Sequence, residues 1–183
     1  MTEQGDANQL NYPWYELVSG LPMQQGDCFV GIPVLLPIYP EQARLNSPAI
    51  DIDIKTYDVI VLSQSCDLLR GKIDNVILCP VYDLSVATEF IKPLGNSKGR
   101  NEARQGKLPP IHVLGKCSIN AFEREVRVVN FAQTLTVPFN YLTQLAEQNE
   151  PRIRLLPPYR EHLSQAFARF VMRVGLPQDI EEF

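Results

Sequence analysis

Apolar runs four residues long, cut by polar turns, set the plan of the middle of the chain. Val59–Leu62 and Val76–Cys79 are rich in Val, Ile and Leu, and Pro80 closes the second run. Short apolar runs bounded by turn residues predict buried core strands. Between them, Ser63, Gln64, Ser65, Cys66 and Asp67 gather side chains able to hydrogen-bond or react at one strand end. Arg70, Gly71 and Lys72 then form a basic-tipped connection. Loops held by a rigid scaffold are where function concentrates, so this turn is the first site candidate.

The flanking pattern extends the plan in both directions. Residues 1–11 read as a flexible lead-in, and Tyr12, Trp14 and Tyr15 read as a turn whose aromatics anchor the N-terminal part on the body. Cys28–Leu36 reads as extended, with Pro33 and Pro37 implying an edge strand or a bulge, because proline lacks a ladder donor. Ile50, Ile52 and Ile54 alternate with Asp51, Asp53 and Lys55, a strand with one wet face. Downstream, Leu84–Ile91 reads as a short helix and 92–110 as a basic loop or a short helix around Asn101–Gln105. Ile111–Leu114 and Arg124–Phe131 follow as paired strands.

Two helices close the pattern. Pro138 opens one that runs to about Gln148, with Phe139, Leu142, Leu145 and Ala146 inward. Pro157–Pro158 precede the other, in which Leu163, Phe167, Phe170, Val171 and Val174 form one stripe and Gly175 makes the stop. The whole predicts an α+β fold in a single domain over 12–183. A small, strongly bent sheet or barrel over about 25–131 is followed by two C-terminal helices within about 138–175.

Composition excludes more than it identifies. A chain of 183 residues with 45% hydrophobic and 21% charged residues is ordinary for a soluble domain with one core. No apolar run approaches the roughly 18 residues that span a bilayer, and the first residues lack a secretory pattern. Cytoplasm and no membrane partner are the expectation. Cys28, Cys66, Cys79 and Cys117 lie far apart without a CxxC pair, so free thiols, no metal and no cofactor are expected.

Net charge of −4 argues against general polyanion binding, but the distribution is uneven. Acidic residues dominate 1–58. The segment 92–107 carries Lys92, Lys98, Arg100, Arg104 and Lys107 against Glu102, and 151–176 carries Arg152, Arg154, Arg160, Arg169 and Arg173 against Glu161. These basic segments either form a local anion site or pack beside the acidic N-terminal part.

Gly26-Asp27 at the opening of a strand, Ser63 at the end of a later one, and a strand ending in Pro80-Val81 resemble the MazF/PemK-like toxin family over about residues 25–84. Glu41-Gln42 and Arg44 are similar to that family's first loop. The resemblance implies an SH3-like barrel, a homodimer, and metal-independent cleavage of single-stranded RNA with Arg44 as the catalytic cation. Tyr82 stands where the family has Thr, and the chain has about 60 further residues.

Three functions follow from the residues. RNA cleavage needs a base, an acid and cations for the developing charge. Arg44, Arg70 or Lys72 can supply the cation, Asp67 or His112 can move the proton, Ser63 lies at the same strand end, and Tyr82 can stack a base. A thiol enzyme would use Cys66 with one of the two histidines, His112 or His162. A binding module for nucleic acid or a protein would use the Ser63–Lys72 turn with Lys98, Arg100, Arg104 and Lys107. Against each stands the structural alternative: turn solvation for Arg70 and Lys72, a satisfied strand histidine for His112, and capping of a helical turn by Asp67.

Overall fold

The computed structural model describes residues 12–38, 51–148 and 151–172. The expectations for residues 1–11, Arg44, Val174 and Gly175 lie outside them. Eight strands make one antiparallel sheet: β1 (Tyr15–Val18), β2 (Asp27–Ile38), β3 (Asp51–Val61), β4 (Asn75–Asp83), β5 (Ile111–Leu114), β6 (Arg127–Asn130), β7 (Leu135–Pro138) and β8 (Arg152–Leu155). Their order is β1-β8-β2-β3-β4-β6-β5, and β7 pairs with β4 beyond the end of β6. Among the described residues the sheet is open, with β1 and β5 at its edges, so of the expected sheet or barrel it is a sheet not closed into a barrel, within the expected α+β class. The helices are α1 (Ser65–Leu69), α2 (Leu84–Phe90), α3 (Ser97–Arg104), α4 (Phe139–Glu147) and α5 (Tyr159–Val171).

The central strands are apolar on both faces because both faces are covered. Ile60, Leu62, Cys79 and Val81 point to one core, which α5 closes with Leu163, Phe167 and Phe170. Val59, Val61, Val76 and Leu78 point to the other, closed by Leu142, Leu145 and Ala146 of α4. Alternation with period two thus appears as a continuous apolar run. A third cluster under α2 and α3 joins Ala87, Leu94 and Ala103 to Ile111 and Val128. Val171, expected on the inner stripe of α5, is exposed.

The bulge expected in β2 is present. Register shifts between Phe29 and Ile32, with Gly31 at φ +66 and its N–H donated to Asp58 Oδ1 at 3.0 Å. The extra residue switches the inward parity from Phe29 to Ile32 and Val34. Beyond it, β2 and β3 continue as a two-stranded ribbon. The alternation around Ile52 and Ile54 is real, yet neither residue faces a core. Both are exposed, as is Leu35 opposite Ile54, so the expectation of a single wet face is corrected.

Three strands had no clear sequence signal. Tyr15 begins β1 instead of a turn, and Trp14 stacks on Tyr159 with centroids 3.6 Å apart, an aromatic anchor of the expected kind. β7 continues the direction of β6 along β4. β8, Arg-Ile-Arg-Leu, is buried at all four positions. Its arginines meet Asp27, which is fully buried: Arg152 Nε donates to Oδ2 at 2.9 Å and Arg154 Nη2 to the same oxygen at 3.0 Å. Arg154 Nε also bonds Oδ1. Here the basic C-terminal segment packs on the acidic N-terminal one.

Candidate functional site

The turn after β3 is wired into the fold by its own polar side chains. Ser63 Oγ accepts the Ile77 N–H at 2.9 Å and so latches β4. Ser65 Oγ accepts the Gln25 N–H at 3.1 Å, while Gln25 Nε2 donates to Leu62 O at 2.7 Å. Gln64 Nε2 donates to Ser164 Oγ on α5 at 3.1 Å. Three of the five candidate side chains therefore hold neighbouring segments. Asp67 lies in the first turn of α1, where no side chain caps the helix, so the capping expectation is corrected.

Cys66 is exposed and lies against α5 in a cavity of about 390 Å³ lined by Ser65, Arg160, Ser164 and Gln165. No histidine lines that cavity. Cys66 Sγ donates to Asp67 Oδ1 at 3.8 Å. Arg70 and Lys72 are exposed beyond α1.

A second group of side chains converges on the other flank of α5. His112 on β5 lines a cavity of about 440 Å³ with Arg104 of α3 and with His162, Gln165 and Arg169 of α5. The α5 residues follow at 162, 165, 166 and 169, the i, i+3, i+4, i+7 spacing of one helix face. Gln165 lines this cavity and the Cys66 cavity alike, so the two adjoin along α5.

His112 Nε2 is buried without a hydrogen-bond partner in the protein. Burial first, then the charges of His162 and Arg169, hold its imidazole down to about pKa 4. It is neutral at physiological pH and keeps an open ring nitrogen in a cationic setting. The expectation of a satisfied strand histidine is therefore corrected.

The basic segment 92–107 divides by role. Asn96 Oδ1 caps α3 by accepting the Gly99 N–H at 2.9 Å. A Cβ on Gly99 would stand 1.7 Å from Pro93 O, so this close approach requires glycine. Arg100 Nη1 donates to Leu94 O at 2.9 Å and braces the segment. Arg104 reaches the His112 cavity. Lys98 and Lys107 are exposed and line neither cavity.

Tyr82 lies elsewhere. Its hydroxyl donates to Gln133 Oε1 at 2.7 Å, and its ring meets Phe90 edge-on at 4.9 Å. Of the candidates, Cys66 therefore lies in one neighbourhood along α5, and Arg104 and His112 in the other. His162, Gln165 and Arg169 complete the second. Their helical spacing was readable in the sequence, but the strand they face was not.

Among the described residues no three of His, Cys, Asp and Glu are grouped to hold a metal ion. No helix there is long and apolar enough to cross a membrane. No protein-family model and no curated protein matches the chain. Fold and site together define an α+β protein with an open antiparallel sheet and a cationic, histidine-containing groove along its last described helix.

Proposed function

We propose that the protein acts on single-stranded RNA in the groove between α3, β5 and α5, cleaving it without a metal. The observation that carries this is His112: its Nε2 is buried and unpartnered, in a cavity it shares with His162, Arg104 and Arg169. The unprotonated Nε2 is free to take the proton of a ribose 2′-hydroxyl, and a phosphate bound beside it would raise its basicity toward the operating pH, where a general base works best. The 2′-oxygen then attacks phosphorus, the bond to the 5′-oxygen breaks, and a second proton carrier must protonate that oxygen. His162 is the imidazole available for this. Arg104 and Arg169 supply the positive charge that a phosphorane demands.

An open groove continued past Gln165 to Cys66 suits an extended strand better than a small substrate. The MazF/PemK-like resemblance of residues 25–84 agrees in activity but draws the catalytic cation from Arg44. In the present proposal the residues that carry the resemblance serve as scaffold. Gly26-Asp27 supports this, because Gly26 packs against Leu155 and Asp27 holds two arginines. The test is a gel assay of labelled single-stranded RNA in EDTA: wild type cuts and His112→Gln does not. Binding without any cut would make the groove a nucleic-acid-binding module.

A further inference from the structure

A larger cavity, of about 590 Å³, opens along the first half of β2 and shares no lining residue with the His112 groove. Arg127 of β6 and Arg152 of β8 stand in its wall. They are 3% and 4% exposed, and nitrogens of both lack a hydrogen-bond partner in the protein: Nε and Nη2 of Arg127, and Nη1 of Arg152. Buried guanidinium groups ordinarily find acceptors for their donors, because an unmet buried donor is costly.

The protein supplies little negative charge here. Arg152 shares Asp27 with Arg154. Burial works against the Arg127 charge, while Cys28, Tyr15 and Asp58 work for it, and the guanidinium also meets Tyr15 and Cys28 through side-chain hydrogen bonds. Burial pushes the Cys28 thiol up to about 12 and the Tyr15 phenol higher still, so both are neutral at physiological pH. Asp58 is the formal anion of this set, and its Oδ1 already accepts the Gly31 N–H. The rest of the wall is mostly apolar, with Phe29 and Phe122 as aromatic surfaces. Arg152 lies 5.2 Å from the Phe29 ring centroid.

We propose that this cavity binds a small organic oxyanion, its phosphate or carboxylate held by Arg127 and Arg152 and its aromatic or aliphatic body against Phe29 and Phe122. The volume falls within the roughly 300–1,000 Å³ of small-molecule sites, larger than a bare inorganic anion needs. An entering oxyanion provides acceptors for the donors left over, Nε and Nη2 of Arg127 and Nη1 of Arg152.

The test is calorimetric titration of the full chain with phenyl phosphate and with phenylacetate. Inorganic phosphate and benzyl alcohol serve as the head-only and body-only controls. At least one aromatic anion is expected to bind at a single site, at least tenfold tighter than either control. Phosphate and carboxylate are told apart by which of the two is tighter. Arg127→Met should weaken that anion at least tenfold. Should this variant fail to fold, Val30→Trp places a bulky side chain at an exposed lining position and should weaken it equally. The proposal is overturned if neither anion binds at millimolar concentration, if benzyl alcohol binds as well as the anions, or if a folded variant binds like wild type.

Discussion

Asp27 and Arg152, 125 residues apart, form a buried ion pair in which Arg152 Nε stands 2.9 Å from Asp27 Oδ2. The pair joins the start of β2 to β8, the strand with the least sequence signal. Removing one member of a buried pair leaves an uncompensated charge, at a cost of about 3–5 kcal/mol. Asp27→Ala strands two arginines and should lower stability by about that amount in urea unfolding. Glu16→Ala, at 3.9 Å from Arg154 and half exposed, should change it by under about 1 kcal/mol.

His112 should report its burial in solution. Its imidazole is held down to about 4 from an ordinary 6.5. Between those values the unfolded chain binds a proton that the folded protein does not, so stability rises with pH across this window. Acidification from pH 6.5 toward 4 should therefore destabilise the protein, and His112→Gln should flatten that slope. In an NMR titration, the His112 ring signals should stay unprotonated well below pH 6.

Arg100 and Arg104 lie one turn apart on α3 but should separate cleanly. Arg104→Glu removes a groove cation, so RNA affinity should fall and its salt dependence should lessen by about one phosphate contact. Arg100→Ala removes the bond to Leu94 O and should cost about 1 kcal/mol of stability with little change in affinity. Fluorescence anisotropy at two salt concentrations, with thermal melts, distinguishes the two effects.

Cys66 is the one exposed thiol of four, the others being buried. Burial also raises the Cys28 and Cys79 thiols to about 12. A thiol reagent on the native protein should react quickly with one equivalent and with four after unfolding. Cys66→Ser should leave RNA cleavage unchanged, since no histidine lines its cavity. A silenced serine variant would restore the thiol-enzyme reading.

What the sequence made legible depended on local chemistry. Val59–Leu62 and Val76–Cys79 announce themselves because both faces of those strands are buried, and α5 because its stripe repeats over three turns. β8 stayed hidden because its two inward arginines look like surface charge until Asp27 is placed beside them. The turn Ser63–Asp67 was conspicuous for side chains able to hydrogen-bond or react, and three of them hydrogen-bond within the fold. Ser63, Gln64 and Ser65 spend their hydrogen bonds tying β4, α5 and Gln25 together. His112 was legible as a residue but not as part of a groove, because its neighbours come from helices before and after it in the chain.

The most direct measurement is cleavage of a labelled single-stranded RNA, in EDTA, beside the same sequence carrying 2′-O-methyl riboses. Wild-type protein should cut the RNA and spare the methylated strand, and His112→Gln should lose at least 100-fold in rate, as expected for a general base. Undiminished cleavage by that variant, or cutting of the methylated strand, would contradict the account.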